Sequence, residues 1–138
     1  VIDYLKHHAR TLLFSASMPP SAVATVHAAL EIIKSEPERR ERLWENAHKM
    51  HAGFRSLGYD IRQSETPVVP IIVGDDIKTF MFWKRLLNEG VFTNPVVSPA
   101  VPPGSARLRT SYMASHTDAQ LDFVLEKFEK VGKALGII

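Results

Sequence analysis

A chain of 138 residues with 45% hydrophobic and 23% charged side chains has the composition of one ordinary globular domain with its own core, which excludes a disordered segment. The formal charge of +2 is spread along the chain, and the nearest approach to a basic cluster, Glu38-Arg39-Arg40-Glu41-Arg42, is interleaved with glutamates, so no nucleic-acid partner is expected. The chain has no cysteine, which excludes disulfides and thiolate chemistry, and no apolar run of bilayer-spanning length, so a cytoplasmic protein with no membrane partner is expected.

Val1 to Ala9 reads as a short amphipathic helix that begins with neither an initiator Met nor a capping residue, and the chain therefore reads as a fragment of something longer. Thr11-Leu12-Leu13-Phe14-Ser15 suits a short buried strand, which Ser17-Met18-Pro19-Pro20 ends. Ser21 is placed to cap a helix carrying Val23, Val26, Leu30 and Ile33 at helical spacing. Pro37, at its preferred first-turn position, marks a restart. In the next helix Leu43, Ala47, Met50, Phe54 and Leu57 share one stripe and Gly58 is its stop. Residues 21–58 thus read as a long, bent helical arm.

From Tyr59 the pattern changes. Tyr59 to Arg62 and Val68 to Val73 read as strands, with Pro70 demanding an edge or a bulge. Gly74-Asp75-Asp76 opens a helix to Glu89, where aspartate is an N-cap before it is a cation ligand. Ile77, Phe80, Met81, Lys84 and Leu87 form its expected stripe. Val91 to Thr93 is a further short strand. A proline-spaced loop from Asn94 to Gly104, with prolines at 95, 99, 102 and 103, leads to the strand Ala106 to Tyr112; those prolines fix φ and lower the entropy of the loop. Thr117-Asp118-Ala119-Gln120 is a capping box for a last helix with Leu121, Val124, Leu125, Phe128, Val131 and Leu135 on one stripe. The order after the opening helices is β-β-α-β-β-α, an α+β fold with a small, mainly antiparallel sheet and helices on one face.

Four groups of residues could carry chemistry. Arg107 and Arg109 share one face of their strand because side chains alternate, and a guanidinium fits a carboxylate or phosphate in a bidentate way that an ammonium cannot. Spacing alone leaves open whether they hold a ligand or pair with surface carboxylates. Ser15 and Ser17, ahead of a proline pair and a helix, could hold a phosphate or be an ordinary cap and turn. His48 and His51 are three apart on a helix, but no third metal ligand is placed nearby by sequence, and no metal site is assigned. His116 reads as a turn residue before the capping threonine.

Taken together, Arg10 to Pro20, the Asn94 to Gly104 loop, Ala106-Arg107-Leu108-Arg109-Thr110, and Ala114 to Thr117 with the final helix resemble, in order and through essentially the whole chain, the C-terminal part of an α-oxoamine synthase. That family of pyridoxal-phosphate (PLP) enzymes includes 2-amino-3-ketobutyrate CoA ligase, 8-amino-7-oxononanoate synthase, serine palmitoyltransferase and 5-aminolevulinate synthase. The resemblance implies the small C-terminal domain of the aspartate-aminotransferase-like fold at 59–138, a connecting helical arm at 21–58, and the end of the large cofactor-binding domain at 1–20. It implies that Arg109 binds the amino-acid carboxylate and that Ser15 reaches the cofactor phosphate of the other subunit of a homodimer. It assigns no role to Arg107 or His116.

The departure from the pattern is the Schiff-base lysine, which in this family lies in a Ser-Lys-x-x-Gly setting that no lysine here occupies. The parent is therefore expected to be an acyltransferase that joins a small amino acid to an acyl-CoA, and this chain by itself to be inactive, without bound PLP. Similarity of the ending Arg107 to Ile138 suggests glycine with acetyl-CoA. Two other readings stand beside it: a stand-alone amino-acid-binding regulatory module, and part of a related PLP aminotransferase.

Overall fold

The computed structural model describes residues 1–138, which divide into two compact units, Val1–Pro37 and Glu38–Ile138. The first unit is helical: α1 (Ile2–His8), α2 (Arg10–Leu13) and α3 (Pro20–Ser35). The strand expected at Thr11–Ser15 is not formed. Leu12, Leu13 and Phe14 are exposed, and Leu13 and Phe14 donate their amides to the Ala9 and Arg10 carbonyls. A lone strand leaves its backbone groups unpaired, whereas one helical turn satisfies several of them locally. Helix α3 starts two residues earlier than expected, with Pro19 in the N-cap position, Pro20 in its first turn and no side-chain cap, so Ser21 lies inside the helix. None of its residues is buried.

The second unit is built around a three-stranded antiparallel sheet in the order β1-β3-β2, where β1 is Val68–Gly74, β2 is Asn94–Val96 and β3 is Ala106–Ser111. Helices α4 (Glu38–Ser56), α5 (Asp76–Asn88) and α6 (Asp118–Ala134) complete it. The strand order is thus β-α-β-β-α after α4. The strand expected at Tyr59–Arg62 is not formed; the segment ends in a turn at Arg62 and is tied to β1 by one bond, Ile72 N–H to Asp60 O at 2.9 Å. The strand expected at Val91–Thr93 falls instead on Asn94–Val96, because Asn94, Pro95 and Val96 are the residues opposite Arg109, Leu108 and Arg107. Strand β1 lies at the sheet edge, as Pro70 demands, while the irregularity in its register falls farther on, between Ile72 and Gly74.

Alternation along the strands divides the sheet into two faces. Val69, Ile71, Ala106, Leu108 and Thr110 are buried under the helices. Their neighbours Val68, Pro70, Arg107 and Arg109 lie on the opposite face. Thr110 is tolerated on the core side because its hydroxyl donates to Val69 O at 3.0 Å. The core centres on aromatic rings: Phe128 meets Phe54 and Phe82 edge-on, with centroids 4.9 and 5.4 Å apart, contacts worth about 0.5–1.5 kcal/mol each beyond area burial.

Two of the expected helical stripes match the buried faces. Ala47, Met50 and Phe54 of α4, and Leu121, Phe128 and Val131 of α6, are buried. The capping box forms as read: the Gln120 amide donates to Thr117 Oγ1 and the Thr117 amide to Gln120 Oε1. Lys49 also joins α4 to α6, 2.6 Å from Asp122 and 3.5 Å from Asp118, and Arg42 lies 3.3 Å from Asp118; these cations hold the Asp118 carboxyl below the usual range. The stripe expected on α5 is not the buried one. Ile77, Phe80, Met81 and Leu87 are exposed, and Thr79, Phe82 and Leu86 face the core. Asp75 caps this helix, accepting from the Lys78 amide at 2.6 Å.

Tyr59 fixes the far end of the core. Its hydroxyl donates to Phe128 O at 2.7 Å and lies against Gly132, where a Cβ would collide with Tyr59 Oη and stand 2.9 Å from Cζ. Gly132→Ala is therefore expected to destabilise the fold by about 1–3 kcal/mol through overpacking, despite the better helix propensity of alanine. Its cost should fall by about 1 kcal/mol or more in a Tyr59→Phe background, a coupling that urea unfolding of both single variants and the double variant measures.

Candidate functional site

The open face of the sheet forms a concavity of about 600 Å³ with Arg62, Gln63, Ser64 and Thr66 on one rim and Arg107, Arg109 and Val96 on the other. Strand β3 sets the arginines two residues apart. Arg109, at the centre of the sheet opposite both Pro70 and Asn94, is exposed and makes no hydrogen bond or ion pair within the chain. Arg107 is half-buried, and its Nε donates to Ser105 O at 2.9 Å. Within the loop before β3, the Ser98–Pro99 bond is cis and Gly104 has φ +77°. The amides of Ala100 and Ser105 close turns onto Val97 O and Pro102 O.

Arg62, which also lines the concavity, stands out by neither motif nor periodicity in the sequence. It adopts φ +53°, a left-handed conformation that costs a non-glycine residue about 1–2 kcal/mol. Asp60 holds it there, accepting the Arg62 amide at 2.9 Å and its Nη1 at 3.3 Å, an Asx-type turn. The Asp60-x-Arg62 spacing is the only sequence signal of this, and it is a weak one. No carboxylate lines the concavity, so its cations suit an anionic ligand.

The other candidate residues lie elsewhere. Ser15 and Ser17 are exposed in the segment between α2 and α3, in the first unit, whereas Arg109 is in the second. His48 packs beside Trp44 with ring centroids 5.7 Å apart. Buried His51 donates from Nε2 to Thr66 O at 3.0 Å and so tethers the rim of the concavity to α4. His116 is a turn residue, its Nδ1 accepting from the Met113 amide at 3.2 Å. Asn46 Nδ2 donates to the carbonyls of both Met113 and His116, at 2.9 and 3.1 Å. None of the lysines lines the arginine face; Lys34, Lys49, Lys127, Lys130 and Lys133 are paired with carboxylates and Lys78 donates to Gly136 O.

A helix-backed antiparallel sheet with unpaired arginine on its open face, preceded by the proline loop, is a fold with known counterparts. The aminotransferase class I and II family model matches residues 1–128, and the chain belongs to that family, in its α-oxoamine synthase branch. It is 46% identical over 136 residues to serine palmitoyltransferase of Bacteriovorax stolpii, covering 99% of this chain and 32% of the relative. It is 46% identical over 138 residues to 8-amino-7-oxononanoate synthase of Symbiobacterium thermophilum, covering 100% and 35%. The chain thus spans about a third of the length of the relatives it matches. Among solved structures it resembles serine palmitoyltransferase of S. paucimobilis with PLP and myriocin bound, with TM-score 0.83 and 36% identity over 99% of this chain and 35% of that one. The Sphingomonas wittichii enzyme of the same name matches with TM-score 0.84 and 32% identity over the same shares. The fold is therefore that of the small domain in PLP enzymes, as the resemblance implied.

Burial holds the pKa of His51 below its ordinary 6.5, with the nearby charges of Arg55 and His48 adding to the effect and the bond to Thr66 opposing it. A depressed folded-state pKa means that the unfolded chain takes up the proton first as pH falls, so this contribution to stability is complete above about pH 6.5 and is lost below it. Urea unfolding between about pH 7.5 and pH 5 should show that loss. His51→Gln, which keeps a donor for Thr66 O, should flatten this part of the profile.

Proposed function

We propose that the chain is the C-terminal third of a PLP-dependent acyltransferase that condenses a small amino acid with an acyl-CoA to give an α-oxoamine, and that Arg109 binds the amino-acid carboxylate. The observation that carries this reading is the unpaired Arg109 guanidinium on the open face of the central strand, in a chain whose relatives carry the names of two such synthases. A bidentate guanidinium would fix one end of the amino acid and so orient the bonds at its α-carbon.

The residues present fit part of a cofactor site. Ser15 has an exposed hydroxyl that makes no hydrogen bond within the chain, and in the proposed homodimer it would donate to the cofactor phosphate of the other subunit. PLP, when bound, supplies an electron sink for the amino acid's α-carbon; this chain offers no lysine beside Arg109, so proton transfer at that carbon belongs to residues outside it. In the same reading, residues 1–20 end the large domain, 21–58 connect, and 59–138 form the small domain. Location in the cytoplasm accords with the absence of any helix long and apolar enough to cross a membrane.

The test uses the whole protein supplied with PLP, a small amino acid and an acyl-CoA. Release of the CoA thiol, dependent on both substrates, is the expected result; transfer of the amino group with no thiol released would identify an aminotransferase instead. Arg109→Ala should lower kcat/KM for the amino acid by about 30- to 1,000-fold, the loss of about 2–4 kcal/mol of charge-assisted hydrogen bonding. Binding of PLP should survive that change. Unchanged kinetics would remove Arg109 from the site.

A further inference from the structure

Arg107 is not accounted for by the amino acid. It shares the open face with Arg109, but its Nε is committed to Ser105 O at 2.9 Å, which draws the guanidinium toward the start of β3, the end away from Arg109. The two α-carbons are themselves separated by about 6.5–7 Å of strand. One small carboxylate held bidentately at Arg109 therefore leaves the terminal nitrogens of Arg107 without a partner. The surroundings do not neutralise it: no carboxylate lines the concavity, Asp60 is engaged by Arg62, and the Ser64 and Thr66 hydroxyls both donate to Val68 O.

We propose that Arg107 is a second anion anchor of this face, binding an oxyanion carried by the acyl donor while Arg109 holds the amino acid. That oxyanion is either a phosphate of the coenzyme A or a carboxylate at the far end of the acyl chain. The inference rests on the condensation reading given above and assigns the two substrates to separate arginines. Arg62, across the concavity, adds positive potential, but its pairing with Asp60 leaves Arg107 as the principal contact.

Calorimetric titration of the whole protein with CoA thioesters, and separately with the amino acid, tests this without relying on turnover. Arg107→Ala should weaken binding of the acyl donor about 10- to 100-fold and leave amino-acid affinity unchanged, the reverse of Arg109→Ala. Arg107→Lys, which keeps the charge without the planar fork, should recover part of the loss. Acyl-pantetheine thioesters without the CoA phosphates separate the two sources. A loss seen only with CoA thioesters assigns the phosphate, and a loss that persists with an ω-carboxyacyl-pantetheine assigns the carboxylate. Wild-type affinity of Arg107→Ala for every acyl donor would overturn the proposal, as would an equal loss of the amino acid. If the wild-type protein binds the amino acid but no acyl donor, the condensation reading itself fails.

Discussion

Strand β3 is the one strand with a neighbour on each side, and its two-residue alternation forces a choice on the whole second unit. Ala106, Leu108 and Thr110 enter the core beneath the Phe54, Phe82 and Phe128 rings, so Arg107 and Arg109 must stand on the other side. A one-residue slip in register would exchange the sets and put two guanidinium groups among aromatic rings, at a cost the fold could not bear. Register is secured beyond the ladder itself by Tyr112 N–H to Pro67 O at 3.1 Å and by the Thr110 hydroxyl on Val69 O. The cations of the open face are thus a by-product of burying leucine, threonine and alanine correctly.

What could be read from the sequence is what local chemistry decides. The capping box at Thr117, the stripe of α6, the buried positions of α4 and the alternation of β3 depend on neighbours within a few residues, and each is found where expected. Helix α5 shows the limit. It carries apolar side chains on more than one side, Ile77, Phe80 and Met81 on one and Phe82 and Leu86 on another, and only the tertiary packing selects the second. Thr79 reaches the core without penalty because its hydroxyl donates to Asp75 O at 2.7 Å, a solution invisible to a hydrophobicity pattern.

The expected strands at Val68–Val73 and Ala106–Tyr112 form, as β1 and β3, and those that do not form fail for a related reason. An apolar run such as Thr11–Ser15 becomes a strand only beside another strand, and composition does not say whether one is available. At Val91–Thr93 the buried side chains of Val91 and Thr93 belong to the approach to the sheet, while pairing begins three residues later, at Asn94 opposite Arg109. For the candidate site, alternation placed Arg107 and Arg109 on one face from sequence alone. That Arg62 lines the same concavity depends on a left-handed backbone held by Asp60, which no periodicity announces. The assignment of Ser15 comes from family resemblance, and the separation of the chain into two units means that no geometry joins it to the arginines here.

The edge of β1 has a consequence for how this sheet meets other chains. Residues 68, 70 and 72 turn their backbone groups away from β3, since 67 and 69 face it. The Val68 amide is taken by Thr66 Oγ1 at 3.3 Å, Pro70 has no N–H, and the Ile72 amide is taken by Asp60 O at 2.9 Å. An incoming strand would find no free donor between residues 68 and 72, so intermolecular sheet growth, the first step of fibril assembly, is disfavoured along this stretch by backbone chemistry.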